Sequence, residues 1–154
     1  MKTRTSICLA AAIVIGGSFF ADHLRRAPAV HAQSACDAGS FLGGYGYALS
    51  GYVYDPQGNV LLLASAGRLV ADGRGSVTGA DTSSQDGTIV HRTYTGTYSM
   101  NGDCTGSITL QTATGGVTAI GHGDIVAVNN AREINFVQTD SNYVFSGVFT
   151  RQNQ

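Results

Sequence analysis

His122 and Asp124 stand two residues apart, so on an extended strand both side chains leave from one face. A metal site needs three or four such ligands converging. Beyond the first 32 residues the only other histidine is His91, and no spacing names a third ligand, so a polar outer face is the ordinary reading and no metal is expected. Asp72-Gly73-Arg74-Gly75 lacks the alternating oxygen ligands and closing glutamate of a calcium loop and reads as a turn. Nucleophilic hydrolysis would need Ser or Cys beside a base, and no Gly-x-Ser-x-Gly elbow occurs. Glu133 is the lone glutamate; it follows Arg132 at the head of a strand, where a rim salt bridge is expected. The other carboxylates are aspartates assigned mostly to turns, which disfavours a paired-carboxylate glycosidase. Gly43-Gly44-Tyr45-Gly46 opens no helix, so it is not a phosphate cradle, and no catalytic residue or cofactor is assigned.

Short alternating runs must position these residues. Turn signals at Pro56-Gln57-Gly58-Asn59, Asp72 to Gly75, Asp86-Gly87, Asn101-Gly102-Asp103, Thr114-Gly115-Gly116, Asn129-Asn130 and Asp140-Ser141-Asn142 punctuate the chain. They fall about every 8 to 15 residues, the mark of an all-β meander. The pattern predicts eight strands, near 44–54, 60–71, 76–84, 88–100, 104–112, 117–128, 132–139 and 143–151, with no helix after residue 40. Gly51, Gly96, Gly106 and Gly147 fall mid-strand, as suits a sheet that curls. Short links between eight antiparallel strands close most naturally into an up-and-down barrel. A β-sandwich is the alternative, but its crossover would need a long connection.

Alternation turns Tyr45, Tyr47, Leu49, Gly51 and Val53 to one face, and likewise Tyr94, Gly96, Tyr98 and Met100. The second and sixth strands are apolar on both faces and cannot be phased. Tyr47, Tyr94, Tyr98, Phe136, Tyr143 and Phe145 are assigned inward. Either these rings are core, or they line a cavity for one small apolar molecule oriented by Gln138 or a tyrosine hydroxyl.

Lys2 and Arg4, the uncharged apolar run Ile7 to Phe20, and the small-x-small site Val30-His31-Ala32 outline a secretory signal peptide over 1–32. An uncleaved membrane anchor is the alternative, although a comfortable span takes about 20 apolar residues. Gln33 stands where a lipobox needs a large aliphatic residue before Cys36. Removing 32 of the 154 residues leaves 122, enough for one domain: a segment 33–43 and a barrel 44–152. Five arginines, eight aspartates, one glutamate and no lysine remain, a net charge of −4. Without clustered cations neither nucleic acid nor an anionic membrane is an expected partner after signal cleavage. The expected location is secreted or periplasmic, with oligomeric state left open. Cys36 and Cys104 are the only cysteines left and are expected to pair in that compartment.

Gly46 to Gly51, Asp72 to Gly79, Gly96-Thr97-Tyr98, Asp103 to Ser107 and Arg132 to Thr139 together resemble a family. It comprises secreted bacterial proteins of unknown function, grouped with the allene-oxide-cyclase-like, lipocalin-like small barrels. The resemblance runs over about residues 40–152 and implies a small barrel. No catalytic residue of the plant cyclases or related bacterial cyclases can be placed on this chain. Ser50 to Asn59 is separately similar to the opening of carboxypeptidase-regulatory-like sandwich modules, although any strand-turn-strand would produce it. The leading expectation is an exported, non-catalytic binder of a small apolar molecule. A barrel cyclase or isomerase, and a structural or adhesive surface module, are the alternatives.

Overall fold

The computed structural model describes residues 35–153 apart from 115 and 116. The expected signal segment, with its cleavage site, and the alternative of an anchor fall outside the described residues. Eight strands follow a short 3-10 turn at Ala38–Ser40: β1 (Leu42–Tyr54), β2 (Val60–Asp72), β3 (Ser76–Gln85), β4 (Thr88–Met100), β5 (Thr105–Thr114), β6 (Val117–Val128), β7 (Glu133–Gln138) and β8 (Tyr143–Arg151). Each pairs antiparallel with the next. β8 returns to β1, from Val53 opposite Tyr143 to Tyr45 opposite Arg151, and closes the barrel. That pairing excludes the sandwich. It also removes sheet edges, which would otherwise offer unpaired backbone groups to other chains.

Local chemistry explains the turns. Asp86-Gly87, both at positive φ, joins Gln85 to Thr88 as a two-residue hairpin of the kind whose twist matches its strands. Asp55, Asp72 and Asp103 each accept backbone N–H groups two or four residues ahead, at 2.7–3.0 Å. Such bonds let short Asp side chains close turns. The mid-strand glycines behave as expected. A Cβ at Gly51, Gly96, Gly106 or Gly147 would run into a carbonyl oxygen of the neighbouring strand.

The two ends differ. At one, Phe41 is fully buried between the rings of Tyr45 and Tyr98, with centroids 4.9 Å away from each. The Tyr98 hydroxyl donates to the Ala38 and Phe41 carbonyls, both at 2.8 Å. The Tyr45 hydroxyl donates to the Ala131 carbonyl at 2.8 Å and receives Arg151. Cys36 and Cys104 form a disulfide that ties the N-terminal segment to the turn before β5. Phe41, Leu69, Val77, Ile125 and Ile134 fill this half, so it is a plugged end.

At the other end β7 stops early. It pairs with β6 only from Val128 opposite Glu133 to Gly123 opposite Gln138, so residues 117–122 of β6 run on beyond it. Register also settles the two strands that alternation could not phase. Ser65 lies opposite inward Leu49, and Ile125 opposite inward Phe136. β2 therefore turns Leu63, Ser65 and Leu69 inward and leaves Leu62 exposed. Glu133 accepts from the Asn129 side-chain amide at 3.2 Å rather than from Arg132, which corrects the expected rim salt bridge. The Asn129 backbone carbonyl accepts from the Arg132 N–H at 3.2 Å, a turn that brings the Asn129 side chain to the strand head, where its neutral amide satisfies the carboxylate.

Candidate functional site

One register row crosses the barrel wall: Phe149, Tyr47, Gly67, Asp81, Arg92. Directly opposed residues on antiparallel strands share a face, so all five point inward. Gly67 is the gap in the row. A Cβ there would press on Asp81 and the Ala80 carbonyl. Its absence lets Tyr47 reach across β2 and donate its hydroxyl to Asp81 Oδ2 at 3.1 Å. Gly79 does the same for Tyr94, whose hydroxyl leans across it to donate to the Arg68 carbonyl at 3.1 Å.

Asp81 is the hub. Arg92 grips it side-on, Nε to Oδ1 at 2.9 Å and Nη2 to Oδ2 at 2.6 Å. The Ser65 hydroxyl donates to Oδ2 at 2.6 Å. The Asp81 side chain is 4% exposed and that of Arg92 27%. Burial pushes the Asp81 carboxyl up, but the hydrogen bonds from Arg92 and Ser65, the Arg92 charge and the Tyr47 hydroxyl outweigh it. The net position is below the ordinary aspartate range, so Asp81 is held ionised. The hydrogen bond to Asp81 raises Arg92 in turn, against its own burial. Desolvation pushes Tyr94 up to about 12. It pushes Tyr47 higher still, with Tyr94 and the Asp81 charge adding to the effect. Both phenols are neutral hydrogen-bond donors at any ordinary pH.

These groups occupy one wall of a cavity of about 130 Å³ in the half of the barrel away from the plug. Leu49, Leu63, Ile108, Leu110, Phe136, Phe145 and Phe149 supply the apolar walls. Exposed Ile120, His122 and Tyr143 stand at its mouth. The β7–β8 turn is latched beside them. Asp140 accepts from the His122 backbone N–H at 2.7 Å and from Gln138 at 2.9 Å, and its Oδ1 lies 2.7 Å from His122 Nδ1. His122 thus pairs with Asp140 rather than acting with Asp124. Among the described residues no group of three or more His, Cys, Asp or Glu is placed to hold a metal ion.

Of the residues assigned inward from alternation, Tyr47, Tyr94, Phe136, Gln138, Tyr143 and Phe145 line this cavity. Tyr98 does not. It shares their face, but it sits at the plugged end, where its hydroxyl is bound to the N-terminal segment. Sequence reasoning missed Asp81, Arg92 and Ser65. The first two were within reach. The Asp86-Gly87 hairpin pairs residue 85 with 88, hence 81 with 92, and inward Tyr94 implies inward Arg92. Ser65 was hidden by the unphased β2.

A general base needs a free lone pair facing its substrate. Asp81 accepts three hydrogen bonds on Oδ2 and one on Oδ1, and its lowered pKa makes it a weak base. The arrangement therefore offers shape, apolar surface and a fixed dipolar patch. No family model, curated protein or solved structure matches this chain.

Proposed function

We propose that this protein is a non-catalytic barrel that binds one small, largely apolar molecule outside the cytoplasm. The observation that carries the reading is the cavity. A void needs about 10–15 Å³ of such volume to hold one water, whereas an apolar void of about 150 Å³ accepts a benzene ring. A volume of about 130 Å³ is thus on the scale of a single ring. The walls are aromatic and aliphatic, with a few convergent polar groups, which is the ordinary make-up of small-molecule sites. The Cys36–Cys104 disulfide supports an oxidising compartment, secreted or periplasmic. Among the described residues no helix is long and apolar enough to cross a membrane. Eight-strand closure supports the resemblance to allene-oxide-cyclase-like, lipocalin-like barrels as a likeness of fold.

A cyclase or isomerase is the second reading, and one observation favours it: an ionised pair faces the cavity. Such a pair can stabilise developing charge. The hydrogen bonds from Arg92, Ser65 and Tyr47 that keep Asp81 ionised and weakly basic, and phenols that keep their protons, favour binding over proton transfer.

The test uses protein recovered from its export route, with mass spectrometry of what co-purifies and NMR titration with one-ring compounds. Gly121 gives the control. A Cβ there would make only ordinary contact, 3.6 Å from Gln138 and 3.7 Å from Asp140. Gly121→Leu should therefore fill the mouth without straining the strand, and lower ligand affinity about tenfold or more. Unchanged affinity in that variant would place binding elsewhere and overturn the proposal.

A further inference from the structure

We infer that the cavity selects a neutral ligand carrying an oxygen acceptor, such as a ketone, aldehyde or ester on a single ring, over both hydrocarbons and carboxylates. The inference rests on the cavity being a binding site and names the class of molecule it takes.

Tyr47 spends its O–H on Asp81, and Tyr94 spends its own on the Arg68 carbonyl. Gln138 donates to Asp140. Ser65 donates to Asp81. Arg92 uses Nε and Nη2 on Asp81, which leaves Nη1 with no partner among the described residues. No fully buried side-chain nitrogen or oxygen there lacks a hydrogen bond, so Nη1 is reached from outside the wall. Arg92 lines the cavity and its side chain is 27% exposed. Its free N–H groups are therefore the charged donors of the cavity wall; the Tyr143 hydroxyl, in no hydrogen bond among the described residues, is a neutral donor at the exposed mouth. A guanidinium donor bonds an oxygen acceptor roughly twice as strongly as a neutral donor would. A hydrocarbon in the same place would leave that donor dry and unpaired.

Charge decides between the oxygen acceptors. Arg92 and Asp81 cancel within one bidentate contact. Among the described residues no second arginine or lysine lines the cavity. A carboxylate brought to Nη1 would carry a net negative charge into an apolar chamber, close to the ionised Asp81. It would lose its hydration without an unpaired cation to replace it. A carbonyl oxygen takes the same hydrogen bond without that loss.

Three probes of matched size separate the possibilities: ethylbenzene, acetophenone and benzoate, titrated into the oxidised full barrel and followed by NMR. Acetophenone should bind about tenfold or more tightly than either of the others. The double variant Asp81→Asn with Arg92→Met removes the pair without leaving a buried charge. In it the ketone's advantage over the hydrocarbon should vanish, with circular dichroism confirming the barrel. Benzoate binding as tightly as acetophenone, or a ketone preference that survives in the double variant, would overturn this inference. Equal affinity for ethylbenzene and acetophenone would overturn it too, while leaving the binding cavity intact. Binding of none of the three would overturn the cavity reading itself.

Discussion

Replacing Arg92 with Met should destabilise the barrel and reverse the sign of its pH dependence. The Asp81 side chain is 4% exposed, and Arg92 supplies two of its four hydrogen bonds and, among the described residues, the only positive charge paired with it. Removing one partner of a buried pair typically costs about 3–5 kcal/mol. Arg92 is 27% exposed, and Ser65 and Tyr47 remain on the carboxylate, so the expected loss at pH 7 is smaller. Screening discounts it to about 2–3 kcal/mol. For a domain of this size each kcal/mol moves Tm by about 4 °C, so Tm should fall by about 8–12 °C. The pH profile is the sharper test. In the natural protein the Asp81 carboxyl lies below its unfolded value. Its contribution is present above that unfolded value, near 4, and is lost as pH falls through the folded one. Without Arg92, burial becomes the dominant influence and raises the carboxyl. The variant should then gain stability as pH is lowered from 7 towards 5, where the natural protein changes little from this group. Urea unfolding of the disulfide-intact protein at pH 7 and pH 5 measures both quantities. Adding Asp81→Asn should recover most of the loss, because no buried charge remains. A loss below about 1 kcal/mol together with a pH profile parallel to the natural one would refute the account of a buried, mutually dependent pair.

Reduction of the Cys36–Cys104 bridge, which spans 68 residues, should cost about 4 kcal/mol on the chain-entropy model. Denaturant titration with and without reductant reads this, and an unchanged midpoint would mean that the N-terminal plug holds by packing alone. Tyr98→Phe leaves the Ala38 and Phe41 carbonyls without their shared donor. It should cost about 1–2 kcal/mol by the same titration, yet leave probe affinity unaltered, since Tyr98 faces the plug. Tyr94, at about 12, and Tyr47, higher, should keep their protons as pH passes the ordinary phenol value of about 10. Phenolate absorbance of Tyr47→Phe and Tyr94→Phe against the parent checks this; loss of a normally titrating phenol in either variant would contradict the buried assignment.

Strand number and turn chemistry could be read from the chain alone, because both are local. The Asp86-Gly87 pair needs positive φ whatever surrounds it. Alternation along β1 and β8 assigns faces without knowledge of any partner strand. Long-range facts were another matter. Tyr98 and Tyr94 share a face of β4, but only the arrival of the N-terminal segment makes one end a plug and the other a chamber. Likewise, nothing near residue 65 tells which side of the apolar β2 faces in; register against β1 does.

What the sequence determined by itself is therefore a meander of eight antiparallel strands, joined by Asp- and Gly-based turns and carrying a cysteine pair. Closure into a barrel was expected from the short links and mid-strand glycines and is observed, while the difference between the two ends and the cavity belong to the tertiary structure. So does the reach of Tyr47 over Gly67 to the Asp81–Arg92 pair. The physical reason is range. Dihedral preference and period-two alternation act within a few residues. A void, a buried ion pair and a clear path over a glycine exist only once strands far apart in the chain are brought side by side.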